Sequence, residues 1–194
     1  MEYIFPIALI ILVILSKSMF GKVFKNHVEG DELIKNPWFE IHAIPGYTES
    51  RAIAAFYPLK GEPNIMPILE QLCEEGRLLL PKVTGPTTME FYPIKSLRKD
   101  LVKGNFGIME PREGLEPYKG EKGEIKVFLV PGTKFNMTGE RKGHGKGYYD
   151  RFLANYPEAY KAGIASPKQI SKEPLEQKET DIKMNQVIVC RAKA

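Results

Sequence analysis

The second half of the chain has a predicted strand, then a glycine-rich loop, then a predicted helix. This order restricts the folds that the chain can adopt. The apolar run Val127–Val130 ends at Pro131-Gly132, and about a dozen residues later comes a loop dense in glycine and cations, Arg141–Gly147. A helical pattern begins at Tyr148 and extends to about Tyr156. Glycines allow backbone N–H groups to converge on an anion, and the start of a helix adds its dipole. The arrangement therefore predicts a phosphate-binding loop in an α/β protein.

The loop does not match the two best-known phosphate motifs. In a Walker loop, counting back from Gly145-Lys146, the first glycine would fall on Glu140, and Gly147 stands where a hydroxyl residue is required. A dinucleotide fingerprint opens a helix directly after its strand, whereas these glycines come much later. A flexible basic surface loop remains an alternative. The adjoining Tyr148-Tyr149-Asp150-Arg151 argues against it, because a flexible linker needs neither aromatic rings nor a carboxylate.

Hydrophobic patterns predict alternating strands and helices along the rest of the chain. The predicted strands are Ala52–Tyr57, Arg77–Val83, Met89–Ile94, Ile125–Val130, Ala162–Ala165 and Gln186–Cys190. The predicted helices are Met19–Leu33, Ile65–Cys73 (ended by Gly76) and Tyr148–Tyr156, and a surface loop is predicted over Glu110–Glu124. This order indicates a three-layer α/β domain with a mostly parallel sheet flanked by helices. Ligands bind such sheets beyond the carboxyl ends of the strands.

Composition and charge narrow the class of ligand. The 194 residues are enough for one compact domain, and the net charge of +4 suits anionic small molecules but does not indicate nucleic acid. The two cysteines, Cys73 and Cys190, are predicted to be buried reduced thiols because there is no second pair and no C-x-x-C. The three histidines form no metal-binding or nucleophilic pattern.

The N-terminal segment, residues 1–18, has no assigned role and precedes the predicted α/β domain of residues 19–194. Residues 3–15 are apolar apart from the break at Pro6, but a spanning helix needs about 20 such residues. No basic region precedes the run and no clear cleavage site follows it. Three alternatives stay open: a membrane anchor, a buried or misassigned start, and a secretion signal.

The loop and its surroundings resemble the signature of the 5-formyltetrahydrofolate cyclo-ligase family, also called 5,10-methenyltetrahydrofolate synthetases. That signature reads approximately P-G-x-x-F-D-x-x-G-x-R-L-G-x-G-x-G-Y-Y-D-x-x-L. The matching residues here are Pro131-Gly132, Phe135, Gly139, Arg141, Gly143, Gly145, Gly147-Tyr148-Tyr149-Asp150 and Leu153. Further matches occur in the expected order at Tyr57–Glu62, Leu80–Val83, Gly107–Pro111, Gly163–Ala165, Gln169 and Asp181. The resemblance covers about residues 52–190 and implies a Rossmann-like fold, of the NagB/RpiA/CoA-transferase-like kind.

The resemblance also implies an activity: the ATP- and Mg²⁺-dependent conversion of 5-formyltetrahydrofolate to 5,10-methenyltetrahydrofolate, with release of ADP and phosphate. Arg141 and Lys146 would be catalytic, and Asp150 and Asp181 would hold Mg²⁺. ATP contacts would come from Arg141, Lys142, Gly143, His144, Gly145, Lys146, Gly147, Tyr148 and Tyr149. Folate contacts would come from Tyr57, Glu62, Glu110, His144, Gly145, Lys146, Gly147 and Tyr148. The expected partners are a reduced folate and ATP but no nucleic acid. A cytoplasmic monomer is expected, with membrane anchoring through residues 3–15 as the alternative.

Several of these residues have simpler interpretations. Asp150 could answer the helix dipole, Asp181 could be an exposed loop acid, and Glu62 could be a solvated turn residue. The chain also departs from the family pattern: Asn136 and Asn185 stand where acids are expected, and Lys142 replaces a leucine. The basic N-terminal helix of the family is not recognisable. Two alternatives follow: a non-catalytic paralogue that binds folate or nucleotide, and an ATP-dependent ligase of the same fold with another substrate.

Overall fold

The computed structural model of the protein describes residues 37–104 and 107–190. The predictions for residues 1–36, including the apolar segment and the helix Met19–Leu33, lie outside this part of the chain. Three α-helices are described: α1 (Pro37–His42), α2 (Met66–Glu74) and α3 (Tyr148–Leu153). Strands β1 to β5 are Ala52–Ala54, Leu78–Val83, Met89–Pro93, Leu101–Lys103 and Met109–Pro111. Strands β6 to β10 are Ile125–Val130, Lys134–Phe135, Arg141–Lys142, Tyr160–Ala165 and Gln186–Val189.

A six-stranded sheet in the order β10-β9-β6-β1-β2-β3 forms the centre of the fold. Every neighbouring pair from β10 to β2 is parallel, and β3 pairs with β2 in the antiparallel sense. Two small hairpins, β4–β5 and β7–β8, lie outside this sheet. The prediction of an α/β fold with a mostly parallel sheet is confirmed.

Both faces of the sheet are buried, which explains why its strands are apolar runs rather than alternating patterns. Along β6, Val127 and Leu129 join the core that contains α1 and α2. Phe128 and Val130 point to the other face and join the core beneath α3. The helices therefore cover the sheet on both sides.

Helix α2 shows how the sequence sets the element boundaries. Pro67 lies in its first turn, where a missing N–H costs no hydrogen bond. At the other end Gly76 has φ +68°, and its N–H donates to the Cys73 carbonyl at 3.1 Å. The prediction that Gly76 ends this helix is confirmed, because glycine takes the left-handed conformation without a Cβ clash.

Three predicted elements differ from the structure. The strand Ala52–Tyr57 is regular only to Ala54; residues 55 and 56 stay buried before Pro58. The surface loop Glu110–Glu124 is wrong at its start, because Glu110 and Pro111 belong to β5, which pairs with β4. The helix predicted to reach Tyr156 ends at Leu153.

The chain changes direction within the sheet between β1 and β6. These strands are neighbours, but the chain runs from β1 outward to β2 on one side and from β6 outward to β9 on the other. Connections that leave in opposite directions open a crevice beyond the carboxyl ends of the two strands, where α/β sheets bind ligands. The segments that follow these two ends carry Tyr57 and Glu62 after β1, and the glycine-rich loop after β6.

Other predictions concern thiols and membranes. Cys73 and Cys190 are both free; Cys190 is buried as predicted, and burial raises its pKa to about 12, while Cys73 is partly exposed. None of the helices found in residues 37–104 and 107–190 is long and apolar enough to cross a membrane.

Candidate active site

The glycine-rich loop is introduced by the β7–β8 hairpin, whose turn is held by Asn136. The Asn136 side-chain oxygen accepts hydrogen bonds from the Thr138 N–H, the Thr138 hydroxyl and the Glu140 N–H at 3.2, 2.8 and 2.9 Å. The Asn136 side-chain nitrogen donates to the Glu140 carboxylate at 2.5 Å. The left-handed Gly139, φ +90°, completes the turn. Local hydrogen bonds of an asparagine thus fix the residue that immediately precedes Arg141.

Phe135 anchors the hairpin to the sheet. Its side chain is fully buried, and a Cβ added at Gly132 or Gly163 would lie 2.7 or 2.6 Å from its ring. The two glycines therefore admit the ring from either side. The Phe135 carbonyl accepts the Ser171 N–H at 2.7 Å, which brings the segment after β9 over the hairpin.

Arg141 and Asp150 form a buried ion pair at the base of the loop. The Arg141 Nη2 donates to both Asp150 carboxylate oxygens, at 2.8 and 2.9 Å, and the two side chains are only 5% and 16% exposed. The Ile182 N–H donates to the same carboxylate at 3.2 Å. The Arg141 guanidinium carbon also lies 5.8 Å from the centre of the Tyr149 ring. An ion pair in which one guanidinium nitrogen bonds both carboxylate oxygens fixes the two ends of the loop to each other.

The backbone of the loop is free to bind a ligand. In the described part of the chain, no N–H from Gly143 to Tyr149 has a hydrogen-bond acceptor. Residues 143–146 are exposed, among them His144 and Lys146, and Gly145 and Gly147 have φ +79° and +65°. Free N–H groups beside lysine side chains make a binding site for an anion. Because α3 has only six residues, the loop amides contribute more than the helix dipole.

Glu62 is brought to the loop from the segment after β1. Burial raises the pKa of its carboxyl group. The Leu59 N–H, which donates to it at 2.9 Å, and the nearby charge of His144 lower that pKa, but by less. Glu62 also raises the pKa of Tyr149, which is elevated chiefly by burial. Glu62, His144 and Tyr149 therefore share one electrostatic environment. The structure brings together the two stretches that the sequence assigned to the same site.

The remaining predicted residues are placed less closely. Tyr57 is half-buried against the core beside α1 and α2. Glu110 lies on β5 opposite Val102, with its carboxylate against Gly104, and no contact found among the described residues joins it to the loop. Lys142 is half-buried and pairs with Lys134 across the hairpin.

Asp150 and Asp181 are the residues predicted to hold the metal. Asp181 accepts the Lys178 N–H at 2.9 Å through one oxygen. The N–H of the adjacent Ile182 donates to the Asp150 carboxylate, so both acids contact the backbone of residues 178–182. Residues 37–104 and 107–190 contain no group of three or more acidic, histidine or cysteine side chains arranged to hold a metal. Mg²⁺ in phosphoryl-transfer sites commonly takes one or two carboxylates, with phosphates and water completing its shell. The number of acids meets that requirement, although both Asp150 oxygens also accept hydrogen bonds from Arg141, and the metal role of Asp150 and Asp181 stays a prediction.

Asn136 and Asn185, which replace acids expected from the family pattern, both have structural hydrogen bonds. The Asn185 side-chain oxygen accepts the Lys161 N–H at 2.8 Å, which aligns β10 with β9. Sequence reasoning missed Glu140, whose carboxylate joins Asn136, the Leu175 N–H at 2.8 Å and Lys183 at 3.5 Å. Its spacing of four residues from Asn136 around a glycine was the available signal of a closed turn.

Comparison with known proteins places these features in a family. The family model of the 5-formyltetrahydrofolate cyclo-ligases matches residues 38–190. A probable 5-formyltetrahydrofolate cyclo-ligase of Caenorhabditis elegans is 29% identical over 191 residues, which cover 89% of this chain and 87% of the relative. The 5-formyltetrahydrofolate cyclo-ligase of Escherichia coli K12 is 28% identical over 154 residues, covering 74% and 80% of the two chains.

Solved structures agree with the sequence comparison. The 5,10-methenyltetrahydrofolate synthetase of Aquifex aeolicus superimposes with a TM-score of 0.64 at 30% identity, covering 90% of this chain and 89% of its own. The synthetase of Mycoplasma pneumoniae, at 22% identity and a TM-score of 0.58, supports the fold; it covers 78% of this chain and 80% of its own. The family match over most of the chain, together with the loop and sheet described above, establishes that the protein belongs to the 5-formyltetrahydrofolate cyclo-ligase family.

Proposed function

We propose that this protein converts 5-formyltetrahydrofolate to 5,10-methenyltetrahydrofolate at the expense of ATP, releasing ADP and phosphate. Relatives in its family carry the name of this reaction. The observation that carries the proposal is the row of backbone N–H groups from Gly143 to Tyr149, which have no acceptor among the described residues and lie beside exposed cationic side chains. Such a loop suits a polyphosphate, and the neighbouring Glu62 supplies a polar group for a second ligand.

The loop amides and Lys146 would neutralise and orient the ATP phosphates. Lys146 is exposed and free to turn toward a ligand, whereas Arg141 is buried and already bonded to Asp150. In the proposal Arg141 therefore acts mainly by holding Asp150 and the aromatic ring of Tyr149, and its charge adds to the positive field of the loop. Phosphoryl transfer depends chiefly on such positioning and charge neutralisation.

The chemistry requires a better leaving group than the formyl oxygen. That oxygen attacks the γ-phosphorus of ATP, the bond to the β–γ bridging oxygen breaks, and ADP departs. The N10 lone pair then forms a bond to the activated formyl carbon and N10 loses its proton. Departure of the phosphate, which carries away the original formyl oxygen, leaves the N5–C–N10 amidinium of the product. The atoms balance without water as a reactant.

Side chains near the loop would orient the folate for this closure. Tyr57, Glu62, His144 and Tyr148 are proposed to contact it, and Glu62 would accept a proton or a hydrogen bond from the ring system. A carboxylate whose pKa is raised by burial binds protons more readily than a solvated one. Glu110 stays a weaker candidate because it lies on the separate β4–β5 hairpin.

Asp150 and Asp181 are proposed to hold Mg²⁺. When bound there, the ion would neutralise charge on the ATP phosphates, as hard divalent cations do in other phosphoryl-transfer enzymes. Asp150 also stabilises the fold through Arg141, so Asp181→Asn is the cleaner variant for a metal test. The Mg²⁺ concentration that gives half-maximal activity should rise in that variant.

The direct test is to mix the purified protein with 5-formyltetrahydrofolate, ATP and Mg²⁺ and to follow the near-ultraviolet absorbance of the methenyl product. Absorbance should grow only when all three are present. Folate binding without product would overturn the proposal and favour a non-catalytic binding paralogue. ATP turnover that needs a different acceptor would favour a ligase with another substrate.

A further inference from the structure

Arg151 connects three parts of the molecule around the glycine-rich loop. Its Nη2 donates to the Lys146 carbonyl at 2.6 Å, and its Nε donates to the Thr87 carbonyl at 2.9 Å. The guanidinium carbon lies 5.6 Å from the centre of the Tyr148 ring, within the range of a cation–π contact. One side chain thus touches the loop, the first residue of α3 and the turn between β2 and β3.

Hydrogen bonds from Arg151 orient two successive peptide groups, one through its side chain and one through its backbone N–H. The Lys146 carbonyl points to the Arg151 side chain, and the Gly147 carbonyl accepts the Arg151 backbone N–H at 3.1 Å. The described residues contain no cis peptide bond, so carbonyl and N–H of one peptide group point in opposite directions. The Gly147 N–H therefore points away from the Arg151 guanidinium and the Tyr148 N–H points away from the Arg151 backbone, and neither has an acceptor within the described chain.

Gly147 is fitted to the same contact. Its φ of +65° is left-handed, and a Cβ added there would lie 2.9 Å from the Arg151 Nη1. The guanidinium thus packs directly over the glycine. The absence of a Cβ at Gly147 leaves the room that this packing needs.

The far end of the contact is a closed turn. The Thr84 N–H donates to the Thr88 carbonyl at 3.1 Å, and the hydroxyls of the same two residues are 3.2 Å apart. The Tyr148 hydroxyl also reaches the Gly85 carbonyl at 3.4 Å. Since this turn joins β2 to β3, Arg151 ties the loop to the frame of the sheet.

We infer that Arg151 is a positioning residue for the polyphosphate-binding loop: its side chain holds the Gly147 N–H toward the ligand without contacting the ligand itself. The inference rests on the proposed function, because it concerns the same loop. Lysine can reach one of the two carbonyls but lacks the planar fork that bonds both, so it should replace arginine only in part.

The test compares Arg151→Gln, Arg151→Lys and the wild type, with Arg51→Gln as the matched control. Arg51 is an exposed arginine paired with Glu124 at the opposite, amino-terminal end of β1. The KM for ATP should rise about tenfold in Arg151→Gln and by less in Arg151→Lys. A tenfold rise corresponds to about the contribution of one well-formed hydrogen bond, here lost because the loop is no longer preorganised. At saturating ATP, kcat should stay within about threefold, and Arg51→Gln should behave as wild type.

Direct binding of inorganic pyrophosphate, measured by titration calorimetry without folate, separates the inference about Arg151 from the proposed function. A wild-type affinity for ATP or pyrophosphate in Arg151→Gln would overturn the inference, as would a lower Tm with an unchanged KM. If the wild-type protein forms no methenyl product, the proposed function fails. The pyrophosphate titration of the same variants then still decides whether Arg151 orients the loop for an anion.

Discussion

Asn136 stands at a position where the family pattern has an acid, and it supplies what an acid could not. Its amide nitrogen donates to the Glu140 carboxylate while its oxygen accepts hydrogen bonds from Thr138 and Glu140. Asn136 therefore makes these hydrogen bonds without the charge of an acid. The neutral Asn136 side chain can donate to the Glu140 carboxylate, which a second carboxylate could not do. The turn before Arg141 is thereby closed by side-chain hydrogen bonds.

The pairing predicts that restoring the acid is harmful. Asn136→Asp places two carboxylates in contact and should lower the Tm by about 2–4 °C at neutral pH, the shift that corresponds to a modest loss of stability in a chain of this size. Glu140→Gln in the Asn136→Asp background should restore the bond, with the amide and the acid exchanged. Thermal unfolding of the two single variants and the double variant checks this. Additive losses in the double variant would contradict the pairing.

We expect the ionised Glu62 carboxylate to lower the folding stability of the protein at neutral pH. Burial raises its pKa in the folded protein, so the folded state binds more protons than the unfolded state between the ordinary pKa and the raised one. Stability associated with Glu62 is therefore present at low pH and is lost as the pH rises through the folded pKa.

Glu62→Gln should remove that loss, because the amide oxygen can still accept the Leu59 N–H. We expect a higher Tm than wild type at pH 7, no difference at pH 4, and reduced formation of methenyl product. Tm values measured across this pH range, with activity assayed at pH 7, give the answer. A wild-type pH profile in the variant would show that Glu62 is not the group responsible.

At the scale of elements, hydrophobic patterns located the sheet because its strands are buried on both faces. The strands β2, β3, β6, β9 and β10 all lie where apolar runs predicted them, within a few residues. The β4–β5 and β7–β8 hairpins were not predicted as strands, because strands of two or three residues with charged members have no periodic signal. Their formation depends on tertiary contacts and on turns such as that of Asn136.

Gly163 illustrates an element whose sequence is set by a neighbour in space. It lies in β9, and a Cβ there would be 2.6 Å from the Phe135 ring and 3.1 Å from Met184. Gly163→Ala should lower the free energy of unfolding by about 1–3 kcal/mol through overpacking. Phe135→Leu should itself destabilise the protein but make the added methyl less costly, so that the double variant loses less than the sum. Urea denaturation measures all three; an additive double variant would contradict direct packing.

At the scale of the molecule, the candidate site is assembled from segments far apart in the chain. The segment after β1 supplies Tyr57 and Glu62, the segment after β6 supplies the loop, and the backbone near Asp181 joins it through Asp150. The sequence predicted that these stretches share a site. It did not predict the Arg141–Asp150 pair, because both side chains were assigned to ligands and no local pattern shows which charges pair after folding.

A ligand held by all these segments should stabilise the whole fold. ATP with Mg²⁺ at about 100 times its Kd should raise the Tm by about 5–10 °C. Lys146→Ala should lose most of that shift while keeping the Tm of the ligand-free protein, because Lys146 is exposed. Lys119→Ala, at an exposed lysine paired with Glu116, is the control and should keep the full shift. Equal shifts in both variants would remove Lys146 from the site.

The proposed reaction depends on phosphorylation of the formyl oxygen. To follow that oxygen, 5-formyltetrahydrofolate labelled with ¹⁸O in the formyl group is incubated with ATP, Mg²⁺ and the protein. Mass spectrometry of the released phosphate should find one ¹⁸O for each methenyl product formed. Unlabelled phosphate, or methenyl product formed without phosphate release, would contradict the account.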